Sequence, residues 1–438
     1  MLRNDAIEIW KAGVAAVHGR TLTENSVQIR GSQLSVNEHA FDLDNFDRIL
    51  VVGGGKFSHF MAEGIENVLG ADLAKQKRLS GLVTVPDGSN SHVELNFIES
   101  AECRPAGVNL PTDRVLAATE RMLKLLQGAD EKTLVLALIS GGGSALLENT
   151  TLSLEDIVTA TNWLGLRGAN ILELNTVRIA LSDIKGGGLA RAIPAGTLIG
   201  LIVSDVPNDD LRFVSSGPTV EFGDLLFPDA KRVLEKFSAT VDSGFPATAI
   251  ERIDSGVPSS GSSANVANVL IGDANVARNA AVAKAASLGY EVLDDILADT
   301  TTCDEVADVV VQWCAEPRSS KQCVISLGEP VVEPGENAGR GGRNQHAVLE
   351  AIARLIDLSA VGEFCFMSAG TDGEDGNTSV AGALVSDQDI LKLTSESAAI
   401  DESLKCFDSH RFLAARGLVF DSGATGTNVA DLRVQLRG

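Results

Sequence analysis

The sequence KTLVLALISGGGS, residues 132–144, joins a run of apolar residues directly to a glycine turn. The run has no alternation of polar and apolar residues, which is typical of a strand in a parallel sheet that helices cover on both faces. Apolar runs followed by a glycine or acidic turn and a helical pattern recur along the chain: RILVV (48–52), TLIGLIV (197–203), VLI (269–271), CVISL (323–327) and FCFMSA (364–369). This repeated alternation predicts an open α/β fold that binds ligands at the carboxyl ends of its strands.

Composition limits the class of protein. The chain has 438 residues, 44% of them hydrophobic, which is enough to build packed cores. With 36 basic against 59 acidic residues, its net charge of −23 argues against nucleic acid or an anionic membrane surface as the main partner. The six cysteines are scattered, as expected of reduced thiols, and the longest apolar runs are too short to cross a bilayer. We therefore predict a cytoplasmic protein, and if it binds an anionic substrate its few basic residues must be concentrated at that site.

A stretch rich in serine, glycine and proline marks the best internal boundary, DSGVPSSGSSANV at residues 254–266. We divide the chain there into a larger N-terminal α/β domain, residues 1–258, and a smaller C-terminal domain, residues 259–438. The sequence leaves the oligomeric state open, including a homo-oligomer.

Two glycine-rich loops that follow apolar runs have features of anion sites. In VVGGGK, residues 51–56, Gly54 and Gly55 let the backbone approach a ligand and Lys56 adds a positive charge. The second loop would form a nest of backbone N–H groups with two hydroxyls, from Ser140, Gly141, Gly142, Gly143 and Ser144. The structural alternatives are a tight turn for the first loop and close helix packing for the second. The first loop matches neither a P-loop nor a GxGxxG dinucleotide fingerprint, and Ser144 in the second is not the serine of a GxSxG nucleophile elbow.

Basic residues are concentrated in two motifs of this acidic chain, NTVRIALSDIKGGGLA at 175–190 and GENAGRGGRNQH at 335–346. The first places polar and basic residues on one predicted helical face before a glycine turn, with a solvated helix end as the alternative. The second sets two arginines among glycines, and a guanidinium matches the geometry of carboxylate and phosphate. The residues predicted from these motifs to bind substrate or phosphate are Asn175, Arg178, Lys185, Arg340, Arg343 and Asn344.

Carboxylates at the predicted strand ends are candidate ligands of Mg²⁺. Asp205 follows the apolar run 197–203, where it is also placed to orient a substrate hydroxyl, and Asp372 and Asp375 lie in GTDGEDGNTSVAGA, residues 370–383. Because Mg²⁺ binds few carboxylates together with phosphate oxygens and water, these loops suit it. The six histidines have no zinc-binding spacing.

The loop motifs occur in one order over about 380 residues: GGGK, SGGGSALL, NTVRxxLSxIKGGxLA, SDV, SSGPT, GRGGRNQ, GTDGxDGxT and GTNVxDL. In this combination the chain resembles the class II glycerate 2-kinase family, whose C-terminal half contains the MOFRL domain, here about residues 320–432. The resemblance implies Mg²⁺-dependent transfer of the γ-phosphoryl of ATP to the 2-hydroxyl of D-glycerate. It also implies a Rossmann-like N-terminal domain, a smaller α/β C-terminal domain and an active site in the cleft between them. Lys56 and Arg343, the arginine of GGRN, are then the catalytic residues. Our own hypothesis from the residues is that Asp205 or Asp372 holds Mg²⁺ or orients the hydroxyl.

The chain departs from the family's pattern at three places. The segment ECRPAGVNLPTD, residues 102–113, lacks the histidine of an HPxPD-like turn, Ala424 replaces a proline, and His346 stands where an acid is typical. These differences bear on the substrate more than on the reaction, so a kinase for a related small hydroxy acid is one alternative. The others are an NAD(P)H-dependent hydroxypyruvate reductase, which would need a dinucleotide fingerprint and a proton donor, and a non-catalytic sugar-acid sensor.

Overall fold

The computed structural model describes residues 1–89, 93–105, 110–256, 261–298, 300–315, 321–332, 338–358 and 362–438. The chain divides into a central unit, Gly19–Gly272, and a terminal unit, which combines Met1–His18 with Asp273–Gly438. The boundary that we predicted after residue 258 lies outside the described residues. The observed division differs from that prediction because it falls at Gly272 and because the first helix joins the C-terminal part of the chain.

The helices within the described residues are α1 (Leu2–Ala16), α2 (Gly19–Ser26), α3 (Ser58–Gln76), α4 (Asp113–Leu126), α5 (Leu154–Gly165), α6 (Ile171–Ala180), α7 (Gly188–Arg191), α8 (Leu226–Lys236), α9 (Ala247–Ser255), α10 (Ala274–Ser287), α11 (Cys303–Ala315), α12 (Arg343–Leu355), α13 (Asp387–Leu393), α14 (Ser397–Lys405) and α15 (Ser409–Ala414). The strands are β1 (Val27–Arg30), β2 (Gln33–Val36), β3 (His39–Asp42), β4 (Arg48–Gly54), β5 (Ser80–Pro86), β6 (Ile98–Arg104), β7 (Thr133–Ile139), β8 (Thr197–Val203), β9 (Asn265–Gly272), β10 (Glu291–Val292), β11 (Gln322–Leu327), β12 (Phe364–Gly370), β13 (Gly382–Ser386), β14 (Val419–Phe420) and β15 (Asp431–Arg437).

The main sheet of the central unit has the strand order β6-β5-β4-β7-β8-β9, and all of its strands are parallel. Numbered along the sheet-forming strands, this is the order 3-2-1-4-5-6 of a doubly wound Rossmann fold. All residues of β7 are buried, as expected of a strand covered on both faces. The α/β prediction is confirmed. The strand order of the sheet reverses between β4 and β7, and each of these two strands leads directly into one of the two glycine loops. A separate three-stranded antiparallel sheet, β1-β2-β3, completes this unit.

The sheet of the terminal unit has the order β10-β11-β15-β12-β13-β14. Only β10 and β11 pair in parallel within the described residues, and β15 runs antiparallel to both of its neighbours. The prediction of parallel neighbours was therefore wrong for β12 and holds for β11 on one side only. Both faces of this sheet are covered, one by α1 and α10 and the other by α11 and α12. Burial on both faces makes a strand apolar whichever way its neighbours run.

The amphipathic pattern of the first residues forms α1, whose apolar side packs in the terminal unit. Ile9 and Trp10 are fully buried there, and Trp10 Nε1 donates to the carbonyl of Ala369 at 3.3 Å. These contacts explain why α1 belongs with residues far along the chain. All six cysteines are free. Among the described residues, no helix is both long and apolar enough to span a membrane.

Candidate active site

The reversal point between β4 and β7 brings the two predicted glycine loops together. The N–H of Lys56 donates to the carbonyl of Gly141 at 2.9 Å, and the N–H of Phe57 donates to Ser140 Oγ at 3.4 Å. In an open α/β sheet this point is where ligands bind. The predicted residues that lie here are Gly54, Gly55, Lys56, Ser140, Gly141, Gly142, Gly143 and Ser144.

Backbone donors are available in the second loop. No described residue accepts a hydrogen bond from the N–H of Gly141 or of Gly142. Gly142 has φ +79°, and a Cβ atom there would lie 3.0 Å from Lys56 Cγ, so the lysine stem passes over this glycine. Two N–H groups without a described acceptor, beside a lysine, have the geometry that an anion-binding nest requires, and the loop stays a candidate anion site.

Asp205 joins this loop from the end of β8. Its carboxylate lies against Gly141, because a Cβ atom at Gly141 would be only 2.2 Å from Asp205 Oδ2. The side chain of Asp205 is half-buried. A carboxylate is therefore held directly beside the backbone donors, where it can contact a ligand's hydroxyl or a cation.

Two serines to which the sequence analysis gave no role contact the second glycine loop. Ser215 Oγ donates to the carbonyl of Ser140 at 2.6 Å, and the hydroxyls of Ser216 and Ser144 lie 2.8 Å apart. Ser215 and Ser216 have φ of +51° and +63°, a left-handed conformation that costs energy outside glycine. The sequence offered one signal for these two serines. They belong to the SSGPT motif, which is part of the family pattern although its residue types did not indicate a chemical role.

Lys185 is paired with Glu148, a buried carboxylate that the sequence analysis did not identify. Its ammonium contacts Glu148 Oε2, and the two side chains are 1% and 3% exposed. Glu148 Oε1 accepts from Ser182 Oγ at 2.5 Å and from the N–H of Asn149 at 3.1 Å. Burial lowers the pKa of Lys185, and Glu148 opposes that shift. Lys185 thus does not contact solvent, which does not fit the direct ligand role we predicted for it.

Arg178 lies on α6, one turn after the buried Asn175. It is half-buried, and its side chain makes no hydrogen bond or ion pair with any described residue. Burial lowers the pKa of Arg178, whereas the charge of Glu148 raises it. Two cations, Arg178 and Lys185, therefore share one carboxylate, and the excess positive charge remains at Arg178.

In the terminal unit, Arg343 begins α12 and is held by two carboxylates. Nε and Nη2 donate to Asp431 at 2.5 and 3.0 Å, and Nη2 also lies 2.8 Å from Glu329 Oε1. Asp431 is almost completely buried, whereas Glu329 is 46% exposed. Burial lowers the pKa of Arg343, but the hydrogen bond and charge of Asp431 raise it above its ordinary value. The guanidinium is charged and fixed in one orientation.

Asp375 and Asn344 have structural roles that differ from those predicted. Each Asp375 oxygen accepts two hydrogen bonds: Oδ1 from Asn344 N and Nδ2, and Oδ2 from Gln345 N and Nε2, at 2.9–3.2 Å. All four lone-pair positions of the carboxylate are then occupied, so Asp375 caps α12 and does not fit a metal-ligand role. Asn344 is 1% exposed and its Oδ1 accepts from Ser368 Oγ, so its amide does not fit a phosphate-binding role.

The remaining predicted residues stay as candidates. Asp372 is half-buried, with Oδ1 accepting from the N–H of Glu374 at 3.0 Å, and Arg340 is exposed. Within the described residues, no group of three or more His, Cys, Asp or Glu side chains could hold a metal ion. A nucleotide-borne Mg²⁺ needs only one or two protein carboxylates, so Asp205 and Asp372 still fit it.

Family models match both parts of the chain. Residues 5–253 match DUF4147, a domain of unknown function, and residues 322–431 match the MOFRL family. The chain is 31% identical to a glycerate 2-kinase of Pyrococcus horikoshii, over 94% of this chain and 92% of that protein. It is 32% identical to a D-glycerate 2-kinase of Thermotoga maritima, over 90% and 91% of the two chains.

The fold agrees with these matches. A crystal structure of a glycerate kinase from Thermotoga maritima superposes with a TM-score of 0.81 at 30% identity, covering 100% of this chain and 99% of the other. Similarity of sequence and of structure thus extends over nearly the whole length of both chains. The resemblance inferred from the loop motifs is confirmed, and the chain belongs to the glycerate kinase family that joins a DUF4147 region to a MOFRL region.

Proposed function

We propose that this chain is an ATP-dependent kinase that phosphorylates the 2-hydroxyl of D-glycerate and releases 2-phosphoglycerate and ADP. The observation that carries the proposal is the position of Lys56 beside the unpaired N–H groups of Gly141 and Gly142, in a chain similar to glycerate kinases over nearly its whole length. Phosphoryl transfer depends mainly on positioning and charge neutralisation. A lysine and fixed backbone donors supply both without covalent chemistry.

The substrate carboxylate is assigned to Arg178. This residue carries the positive charge that Glu148 leaves uncompensated, and it is half-buried, so a bound anion would be shielded from water. A guanidinium binds a carboxylate through two parallel hydrogen bonds. Lys185 acts indirectly in this scheme, because it holds Glu148 and thereby sets the local charge.

Arg343 is assigned to the charge of the transferring phosphoryl group. Asp431 fixes its Nε and Nη2, while Nη1 donates to none of the described residues. A preorganised cation costs no reorganisation when charge develops in the transition state. This geometry supports the catalytic role that the family resemblance implies.

The acceptor hydroxyl is assigned to Asp205. Its carboxylate lies against Gly141, next to the donors proposed to hold the phosphoryl group. It would accept a hydrogen bond from the 2-hydroxyl and take that proton as the new oxygen–phosphorus bond forms.

Mg²⁺ is proposed to enter with ATP. Asp372 would hold it together with phosphate oxygens and water, with Asp205 as a second candidate, since both carboxylates are half-buried at loop ends. When bound, the ion neutralises phosphate charge and orients the γ-phosphoryl group.

Six free cysteines support the proposal that the protein works in the reducing cytoplasm.

Two assays on the purified protein test this function. The first follows ADP release from ATP and Mg²⁺ with D-glycerate or with a panel of other small 2-hydroxy acids, and the second follows NADH or NADPH loss with hydroxypyruvate. We expect ADP release that requires D-glycerate. The rate of this release should fall by at least about 100-fold in Lys56→Ala, because a charge partner of the phosphoryl group is lost. Cofactor oxidation without ADP release would instead establish the reductase. If ADP were released only with another hydroxy acid, that acid would replace D-glycerate as the proposed substrate.

A further inference from the structure

The terminal unit contains a cavity of about 530 Å³ beside Arg343. Its volume lies within the range of sites that enclose drug-sized ligands. A three-carbon hydroxy acid would leave most of this space empty and has no apolar surface to place against the walls. The cavity therefore fits a larger ligand, and its lining indicates which kind.

One wall is aromatic and planar. The rings of His346 and Phe407 stack with an interplanar angle of 13° and centroids 5.2 Å apart. Phe407 is half-buried and has φ +49°, an unfavourable conformation for a residue with a side chain. Phe407 directly follows the C-cap of α14, a position that commonly adopts the left-handed conformation, and the helix end thus fixes the backbone beneath the ring.

A second wall is aliphatic and rigid. Val331 is 54% exposed, although its N–H donates to the carbonyl of Thr301 at 2.7 Å and fixes its backbone. Val332, next to it, packs against the core of the unit, and Pro330 is buried. Val331 and Val332 thus give the cavity an aliphatic wall that can contact the face of a planar apolar group.

The third part of the lining is the guanidinium of Arg343 with the two carboxylates that hold it, Asp431 and Glu329. Arg343 lies at the cavity with Nη1 not engaged by any described residue. Glycines form the loop before it, and a Cβ atom at Gly341 would lie 2.2 Å from Ser409 Oγ, so this backbone is packed as closely as glycine allows. The cavity thus combines planar and aliphatic walls with an oriented guanidinium whose Nη1 is available to a ligand oxygen, the combination that matches a heterocyclic base joined to phosphates.

We propose that this cavity binds the base of the nucleoside triphosphate, with the ring against Phe407 and Val331 and the phosphates toward Arg343. The inference rests on the proposed kinase function for the identity of the ligand. It goes beyond that function because it assigns base recognition to the terminal unit and to residues that have no part in the phosphoryl-transfer chemistry.

The test measures binding of ADP in the absence of glycerate, by titration calorimetry, on the full chain and on Phe407→Gly. Glycine accepts φ +49°, which offsets part of the packing lost with the ring, and thermal unfolding verifies that the variant folds. Loss of base stacking should weaken ADP binding by about 10-fold or more. Displacement of ADP by inorganic tripolyphosphate, which lacks a base, measures the phosphate contacts separately, and the dissociation constant of tripolyphosphate should change less than about two-fold.

Phe97→Ala is the matched control, because Phe97 is a half-buried aromatic residue that lines a different cavity, in the central unit. Its ADP affinity should equal that of the parent. Unchanged ADP binding in Phe407→Gly, or equal weakening of ADP and tripolyphosphate, would overturn the inference.

A second measurement locates the base directly. Photolysis with 8-azido-ATP should label peptides that contain residues 329–332 or 405–411, and excess ADP should prevent that labelling. Labelling confined to other peptides would overturn the assignment. ADP binding and labelling do not require turnover, so they distinguish failure of this inference from failure of the proposed glycerate kinase activity.

Discussion

Arg343 and Asp431 are joined by two parallel hydrogen bonds, from Nε to Oδ2 at 2.5 Å and from Nη2 to Oδ1 at 3.0 Å. The pair links the start of α12 to the start of β15, the strand at the centre of the terminal sheet. Because Asp431 is almost completely buried, the guanidinium has one stable orientation. Asp431 is therefore a positioning residue for Arg343.

Asp431→Asn should reduce kcat by about 10- to 100-fold, because a misplaced catalytic group can cost that much even when it is still present. The KM values for ATP and for glycerate should change little, since Arg343 itself remains. Steady-state kinetics measure this split. Glu329→Gln alters the more exposed carboxylate beside Arg343 and should have a smaller effect on kcat. Equal effects of the two variants would contradict a special role for Asp431.

Removal of the guanidinium should have a larger effect. We expect Arg343→Ala to lose at least about 100-fold in kcat, the typical result of deleting a charge partner of the transferring phosphoryl group. Arg354→Ala is the control, because Arg354 lies on the same helix and its ion pairs are with Glu350, Asp304 and Asp308. The control should keep kcat within about two-fold, as is usual for surface ion pairs. Near parental turnover in Arg343→Ala would exclude it as a catalytic residue.

The Lys185–Glu148 pair should contribute to stability rather than to substrate contact. Glu148→Gln leaves an ammonium buried without a counter-charge, and breaking such a pair typically costs about 3–5 kcal/mol. The double variant Glu148→Gln with Lys185→Met removes both charges and should recover most of that loss. Denaturant unfolding of the single and double variants measures the free energies. Equal stability of the single variant and the parent would contradict a stabilising ion pair between Lys185 and Glu148.

The contact between Gly141 and Asp205 predicts a strong effect of one methyl group. Gly141→Ala would place Cβ 2.2 Å from Asp205 Oδ2, so the carboxylate must move away from the loop. We expect kcat/KM to fall by about 100-fold, as for other displacements of about 1 Å in active sites. Gly165→Ala is the control, because nothing lies within 4 Å of a Cβ atom there. An active Gly141→Ala enzyme would show that Asp205 does not need this position.

The pH dependence of stability should reflect His59, which is 2% exposed. Burial lowers the pKa of His59, and the charge of Glu63 only partly opposes the shift. The unfolded chain takes up this proton below about pH 6.5 while the native state does not, so the unfolding free energy should fall as pH decreases from about 7.5 to about 5.5. His59→Phe keeps a ring against Phe60 and removes the titration. Its stability should fall less over the same range, and an identical decrease would assign the pH dependence to other groups.

The sequence was most informative about the central sheet. Apolar runs without alternation, each ending at glycines, predicted the strands, and the parallel order 3-2-1-4-5-6 placed the loops of Lys56 and Ser140 side by side. Strand direction in the terminal sheet was not predictable in the same way. Covered strands are apolar in either direction, and β15 has a polar pattern, with Asp431 and Arg433 buried between two apolar strands. These charged residues do not follow the apolar pattern from which the other strands were predicted, so the pattern did not identify β15 as a central strand.

The roles of single polar residues depended on partners that are distant in sequence. Lys185 was correctly identified as unusual, but Glu148, which neutralises it, lies 37 residues earlier. Asp375 was predicted as a metal ligand from its acidic loop, whereas its oxygens are used to cap α12, which begins 32 residues before it. Residue type indicates which chemistry is available, and only the fold determines whether the group faces a ligand or another side chain. Arg178 donates no hydrogen bond to a described residue, so it stays among the candidate ligands.

Phosphorus NMR of the products formed from ATP, Mg²⁺ and D-glycerate tests the proposed reaction most directly. A phosphate on the 2-hydroxyl is attached to a carbon with one hydrogen, so its resonance should be a doublet, whereas a 3-phosphate would give a triplet. We expect the doublet to grow in step with ADP in the parent protein, and no product signal in Lys56→Met over the same period. A triplet would contradict transfer to the 2-hydroxyl, and ADP without any new phosphate ester would contradict the kinase activity itself.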